Sequence, residues 1–476
     1  MSPETEPGRR RVAIIGGGIS GLAAAFGLRG HGLDVIVLEG APRIGGKLAV
    51  SEVAGLAVDA GAESLLARRP EGTDLIEAAG LSAGLVLPGT TSAGIWTRGQ
   101  IRPLPRRQFM GVPADFGELD ATGILSAEGA ARAREDLTLP DAEPDADVSV
   151  TSRIGARLGA EVVDRLVEPL LGGVYAGRCE DLSFEATLPA LAQAARGRAS
   201  LAEAAARLLP PADHGAARAG AAPVFTTLAA GLGSLPPALA GRSGATVRTS
   251  AMVRELARIP GGWRLTVGSA HAPQALTADA VVLAIPARPA SRLLERVGGG
   301  AGAAAALAQI KYASMAIVTL AYPDPAFPQS PSGSGFLVPA IDERAVKAVT
   351  FSTVKWPHLR AAANGMHVVR CSVGRLGEEA ILQRDDAELA ALAAADLAAA
   401  TGVRGGPADV RVTRWGGGLP QYSVGHLDRV ARIRSGVAAL PGLAICGAAF
   451  DGIGIPACIA SARLAVEQVT AYLAGS

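Results

Sequence analysis

The sequence predicts an α/β protein. A Rossmann-like dinucleotide-binding domain is assembled from discontinuous segments of chain, with a substrate domain and a helical insertion between them. Three observations predict it. The chain opens with strand, glycine turn, helix and second strand. It closes with a strand, another glycine-rich turn and a long helix. Between these ends, strand signals return only after a long Ala/Arg/Glu-rich stretch with helical periodicity.

The elements follow in order. Arg11 to Ile15 is short, apolar and rich in β-branched residues, as a strand buried on both faces should be. Ile19 to Gly30 carries apolar positions at helical spacing, and Asp34 to Leu38 is a second strand ending at Glu39. A helix is expected over 70–80, since Pro70 suits a first turn. Helical periods follow at 126–136, 149–158, 160–171 and 186–208, then a loop over 210–222. Strands are expected at 245–248, 253–258, 263–267, 281–285, 315–321, 348–354, 367–373, 409–414 and 443–446, and a terminal helix at 456–473.

Composition removes several classes of function. With 49% hydrophobic and 19% charged residues the chain is not disordered. A net charge of +1 lacks the basic footprint of a nucleic-acid binder. Cys179, Cys371, Cys446 and Cys458 stand too far apart for a zinc ribbon or a redox pair, so they read as buried thiols in a reducing, cytoplasmic setting, and no metal site is expected. The uncharged run Val12 to Leu28 mimics a secretion signal, and Ser435 to Ala462 mimics a membrane span. Glycines break the first and glycines and prolines the second. Peripheral contact with a membrane surface stays open.

The first chemical signal is Gly16-x-Gly18-x-x-Gly21 between strand and helix, with Glu39 eighteen residues beyond Gly21. Gly16 permits the tight turn, Gly18 lets backbone approach a pyrophosphate, and Gly21 lets helix and strand pack closely. The helix start, with Gly17, Ile19 and Ser20, offers free N–H groups to phosphate, and Glu39 can accept from a ribose diol. Gly40 to Lys47 then carries a second Gly-Gly turn and a cation, which suits an extended ligand and resembles an element of FAD enzymes, with Lys47 replacing the usual arginine. No second fingerprint for a nicotinamide domain is seen. At the other end, the turn through Ile453, Gly454 and Ile455 runs into a helix opened by Pro456, whose N-terminus suits the pole of a flavin that gains negative charge on reduction.

Other motifs are more specific. They are Asp59-Ala60-Gly61-Ala62-Glu63-Ser64 with Ala67-Arg68-Arg69-Pro70, and Glu168 to Gly177 (EPLLGGVYAG). Ala230 to Leu235, Arg414-Trp415, Leu419 to His426 (LPQYSVGH) and Gly447 to Cys458 complete the set. With these the chain resembles the oxygen-dependent protoporphyrinogen/coproporphyrinogen III oxidases, of the Gram-positive bacterial type, within the flavin amine oxidase superfamily.

The resemblance implies FAD contacts at Gly16, Gly17, Gly18, Ile19, Ser20, Gly21, Glu39, Gly40, Lys47, Gly61, Ala62, Glu63, Ser64, Val253, Trp415, Ile453, Gly454 and Ile455. It places the Gly173 backbone beside the substrate's reacting meso carbon and Arg69 at a propionate. Ala62 stands where the family commonly has proline. No side chain is expected to act as a catalytic acid or base, because the pyrroles of a porphyrinogen themselves assist hydride loss from a meso carbon. Six electrons would leave in three flavin cycles, each returned to O₂ as H₂O₂, during haem biosynthesis. Coproporphyrinogen III is the preferred substrate and protoporphyrinogen IX the alternative. An amine oxidase or desaturase, and a non-redox binding protein on this fold, are the rivals. Transient contact with other haem-synthesis enzymes or a membrane also stays open.

The implied organisation is an FAD-binding domain from 8–90, 221–290 and 431–476, a helical insertion at 91–220 facing a membrane or partner, and a substrate-binding domain at 291–430. Tyr175 is divided between core packing and lining the substrate cavity. His426 is expected to make a structural hydrogen bond, and Arg102, Arg106 and Arg107 to form a solvated basic face or a carboxylate contact.

Overall fold

The computed structural model describes residues 8–140, 146–198, 200–210 and 224–475. The expected loop at 210–222 therefore lies, apart from its first residue, outside the described residues. The chain runs β1 (Arg11–Ile15), α1 (Ile19–Gly27), β2 (Asp34–Leu38), β3 (Val50–Val53), β4 (Leu56–Asp59), α2 (Pro70–Ala78), β5 (Gly94–Thr97) and β6 (Gln100–Pro103). Next come α3 (Val150–Leu158), α4 (Glu168–Tyr175), β7 (Thr246–Arg248), β8 (Val253–Ile259), β9 (Gly262–Ser269), β10 (Ala272–Ala278) and β11 (Ala280–Leu283). The last third holds β12 (Tyr312–Pro323), β13 (Gly335–Leu337), β14 (Val346–Phe351), β15 (Met366–Val373), α5 (Asp386–Thr401), β16 (Asp409–Pro420), α6 (His426–Ala438), β17 (Leu443–Ile445) and α7 (Ile455–Gly475).

Two sheets organise the molecule. The first is parallel, in the order β7-β2-β1-β11-β17, with Val12 level with both Val35 and Ala280. Its strands alternate between two cores. Val12, Ile14, Val37 and Val282 pack under α1 and α7, while Ala13, Ile15, Leu38 and Val281 pack under the β8-β9-β10 meander. Burial on both faces explains the continuous apolar runs. Because every strand points the same way, the turns after Ile15, Leu38, Leu283 and Ile445 gather at one edge, where a doubly wound sheet binds its ligand.

The second sheet has seven strands, β16-β12-β15-β14-β13-β5-β6, antiparallel except where β13 meets β5. One face, with Phe336, Val349, Cys371, Val373 and Val318, is fully packed against α5 and its neighbours. On the other face Met315, Leu337, Ala348, Thr350 and Ser372 keep accessible surface although they sit in interior strands. That face borders a cleft.

The helical stretch differs from expectation in three ways. Residues 94–103 form the β5–β6 hairpin of the second sheet, so the stretch is not helical from its start. The period at 186–208 is three short helices, because Pro189 begins a new one and the Ser200 hydroxyl caps another on Glu203. The Gly172 to Ala176 turn is the last turn of α4, closed by Ala176 in the left-handed region at φ 47°. No helix among the described residues is long and apolar enough to cross a membrane.

A buried ion pair fixes α4 to the second sheet. Arg375, 1% exposed, donates to Glu168 at 2.7 Å and to the Val338 carbonyl at 3.0 Å. Burial holds the Glu168 carboxyl above its ordinary range against the pull of Arg375. Removing one partner of such a pair strands the other. Arg375→Leu is therefore expected to lower the unfolding free energy by about 3–5 kcal/mol in urea titrations, and a loss below about 1 kcal/mol contradicts the clamp.

Candidate functional site

At the gathered edge, backbone meets backbone. A Cβ on Gly16 would lie 2.4 Å from the Ala284 carbonyl oxygen, and one on Gly21 would lie 1.9 Å from that of Gly16. Gly16 also sits at φ 109°, a region that favours glycine. Gly18 is different: its φ is −75° and a Cβ there meets nothing within 4 Å. The open space lies at the N-terminus of α1, which has no side-chain cap and no acid in its first turn. Its N–H groups and partial positive charge are left for an anion.

Glu39 is held ready beside this turn. Gly17 N–H donates to its Oε2 and Ala41 N–H to its Oε1, both at 2.7 Å. The second glycine turn docks on the first through Gly45 N–H to Gly17 O at 2.8 Å. Lys47 emerges from it between the two sheets, its Cε 3.7 Å from where a Gly418 side chain would begin. Burial pushes the Lys47 ammonium below its ordinary value, yet the residue keeps accessible surface, so it lines a deep cleft. No carboxylate pairs with it among the described residues. A cation that its surroundings desolvate and that has no counter-ion favours an anionic ligand.

The carboxy-terminal turn meets this cleft. The Ser20 hydroxyl faces the Cys458 thiol on α7 and lies 4.0 Å from a Cβ position at Gly447. Ile453, Gly454 and Ile455 lead into α7, which carries no acid in its first turn. The third wall is the 61–64 loop. Trp415 Nε1 donates to Ala60 O at 3.0 Å, and Arg370 donates to Gly61 O at 2.6 Å.

FAD fits these residues. Glu39 would hold the ribose, the start of α1 with Gly17, Gly18, Ile19 and Ser20 the pyrophosphate, and Lys47 with the 453–455 turn the flavin half. Opposite lies the accessible face of the second sheet, with Leu337 3.4 Å from a Cβ position at Gly173. Gly173 and Val174 are exposed there.

Several expected residues stand differently. The Glu63 carboxylate is held by Arg370, by Trp356 Nε1 and, at 3.9 Å, by Lys355, so it braces the loop and is not available to a ligand. Those cations and donors keep it below its ordinary value although burial pushes it up. Val253 is buried, and its neighbour Met252, 52% exposed, packs over Gly40. Arg69 is a surface residue paired with Glu71 at 2.5 Å. Tyr175 is 6% exposed in the helical core, so it does not line the cleft. Ala62 and Ser64 are half-buried in their loop. Arg102 is half-buried near the Thr122 carbonyl and Arg107 donates to Pro210 O at 3.1 Å. Of this cluster Arg106 is exposed.

Among the described residues the His426 ring nitrogens find no partner in good hydrogen-bond geometry, with the Phe450 backbone the polar group beside the ring. It is fully buried and stacks on Tyr422 with centroids 3.8 Å apart. All four cysteines are buried and free, and burial raises the Cys371 thiol to about 12.

Sequence reasoning gave no role to Arg370, Gln421, Tyr422 or Met252. Arg370 did carry a signal, since an arginine inside the apolar strand Met366–Val373 must find a buried partner. Met252 carried none.

A parallel sheet with a ribose acid, two helix starts and a lysine without a carboxylate partner among the described residues, closed by a second sheet, is the arrangement of a flavin-dependent oxidoreductase. Residues 19–470 match the family described as flavin containing amine oxidoreductase, and the chain belongs to that family. It is 32% identical over 98% of its length to a protein of Bacillus subtilis named coproporphyrinogen III oxidase, covering 99% of that protein. A protein of the same name from Mycobacterium tuberculosis is 36% identical, with 97% of each chain covered. A crystal structure from Exiguobacterium sp. 255-15, described as a protoporphyrinogen oxidase, superposes with a TM-score of 0.83 at 33% identity, covering 97% of this chain and 99% of the other. FAD is the cofactor that this membership and the site define.

Two outcomes test the site. Gly21→Ala is expected to lower the melting midpoint of flavin-free protein, whereas Gly18→Ala leaves it unchanged and weakens FAD binding by about tenfold or more. Equal melting losses contradict the open position at Gly18. For His426, burial lowers the imidazole to about 4 from 6.5. The unfolded chain takes up this proton first, so stability is full above about pH 6.5 and is lost toward about pH 4, by about 3 kcal/mol in all. Urea midpoints should fall further in the wild type than in His426→Gln between about pH 7 and 4.5. An equal fall contradicts a buried neutral ring.

Proposed function

We propose that the protein oxidises coproporphyrinogen III to coproporphyrin III, with O₂ as electron acceptor and H₂O₂ as product. The ring loses six hydrogens, so three O₂ become three H₂O₂. The observation that carries this reading is the similarity, over nearly the whole chain, to proteins named coproporphyrinogen III oxidase. The cleft supports it. One wall offers Leu337, Ala348, Thr350 and Ser372, small or aliphatic side chains that a flat macrocycle can cover. Bare backbone at Gly172 and Gly173 adjoins it, since Leu337 lies 3.4 Å from a Cβ position at Gly173.

Bound FAD supplies a two-electron acceptor. The protein's task is then placement and exclusion of water. Pyrroles flanking a meso carbon stabilise the positive charge left by hydride departure, so no buried acid or base has to be poised at that carbon. Holding the ring in register can itself remove about 7–11 kcal/mol of barrier. The name of the Exiguobacterium structure favours protoporphyrinogen IX as a second reading.

Anaerobic mixing with each porphyrinogen, followed by admission of air, decides between them. Faster flavin bleaching and faster growth of porphyrin fluorescence with coproporphyrinogen III is expected. Faster turnover of protoporphyrinogen IX overturns the substrate, and bleaching by neither overturns the function.

A further inference from the structure

Three motifs far apart in the chain meet at two residues. Gln421 Nε2 donates to the Tyr175 carbonyl at 2.7 Å and to Leu419 O at 3.1 Å. This ties the end of β16 to the last turn of α4, the turn that presents Gly173. The fit is close enough that a Cβ on Gly177 would lie 2.1 Å from Gln421 Oε1. The next residue reaches the other way. Tyr422 Oη donates to Ala448 O at 2.7 Å and accepts from Gly452 N–H at 2.7 Å. These two atoms lie within the carboxy-terminal turn that leads to Ile453 and Gly454.

That turn needs an external brace. Gly447 and Gly452 sit at φ 133° and 132°, so glycines mark both of its ends. The Tyr422 hydroxyl spans the residues between them. Its own ring is 2% exposed, wedged between Tyr175 at 5.4 Å and His426 at 3.8 Å. The backbone is pinned as well, by Ser183 N–H to Tyr422 O at 2.8 Å. A hydroxyl fixed on both sides and bonded in a dry interior holds its partners more firmly than one in water.

We propose that Gln421 and Tyr422 form a strut that sets the separation between the flavin-side turn 448–454 and the glycine end of α4, and so act as positioning residues for transfer between substrate and cofactor. The role of α4 in this statement rests on the proposed function. The role of the turn rests only on the flavin site. Tyr422 is 2% exposed and acts through the Ala448–Gly452 backbone. A misplacement of about 1 Å at a reacting centre costs on the order of 100-fold in rate. A strut of two adjacent residues that contacts both sides is placed to prevent it.

The test uses FAD-loaded protein and three variants: Tyr422→Phe, which keeps the ring and loses the hydroxyl, Tyr422→Leu, which loses both, and Gln421→Ala. In anaerobic stopped flow with coproporphyrinogen III, Tyr422→Phe is expected to reduce its flavin about 10- to 100-fold more slowly. The substrate concentration giving half the maximal rate should stay within about twofold. The flavin absorption envelope and midpoint potential of Tyr422→Phe, measured by dithionite titration without substrate, should shift. Gln421→Ala should slow reduction and leave the potential unchanged, because it is bonded to α4 and not to the turn. Unaltered reduction and potential in Tyr422→Phe overturn the strut, as does a rate loss that only mirrors lost FAD. If Tyr422→Phe does not fold, Gln421→Ala decides through the rate alone. If no porphyrinogen bleaches even the wild type, the function falls, and the strut stands or falls on the potential of Tyr422→Phe.

Discussion

Everything at the site depends on backbone touching backbone at the carboxyl edge of the parallel sheet. Gly21 lies against Gly16, and Gly16 against Ala284, with no room for a methyl group between them. That contact brings the start of α1 over the end of β11 and leaves its N–H groups facing outward at Gly18. One crowded glycine pair thus creates the open glycine beside it. The same logic recurs at Gly61, where a Cβ would lie 2.0 Å from the Lys47 carbonyl, and this sets the 61–64 loop against the second glycine turn.

Charge is then distributed by burial. Most deep cations are paired: Arg375 with Glu168, Arg370 with Glu63, Arg157 with Asp136 at 2.8 Å. Such pairs do not stabilise much beyond what hydrophobic packing would, but they cannot be broken singly without large cost. The first two of them brace segments that line the site, and the third braces the helical stretch. Lys47 is exposed yet desolvated by its surroundings and has no carboxylate partner among the described residues, and its position beside Gly418 favours negative charge there. Paired charges thus brace the frame, and Lys47 is left to a ligand.

The fold was legible where periodicity is short and strong. The strands Arg11–Ile15 and Asp34–Leu38, the helix opened by Pro70 and the terminal helix stand where alternation, apolar runs and proline placement put them. The hairpin at 94–103 was not, because its four-residue strands sit beside an Ala-rich stretch and pair with β13 more than 200 residues away. Local pattern carries no information about such a partner. For the site, glycine spacing and Glu39 were readable from mechanics alone. The bracing of Glu63 by Arg370 and Trp356 was not, since it joins residues about 300 apart. A carboxylate in a motif looks the same in sequence whether it meets a ligand or an arginine. Tyr175 illustrates the converse: its motif is specific, but its ring faces the core because α4 runs one turn further than a glycine pair suggests.

The claim at the centre of this account is that the cleft between the glycine turns and the accessible face of the second sheet holds FAD with a tetrapyrrole beside it. A crystal structure of the FAD-loaded protein soaked with coproporphyrin III measures this directly. The macrocycle is expected beside the flavin, against the adjoining surface of the Gly173 backbone and Leu337–Ala348, with the flavin half of FAD against the 453–455 turn. A cleft too narrow to admit the macrocycle, or a cofactor bound away from Glu39 and Lys47, would contradict it.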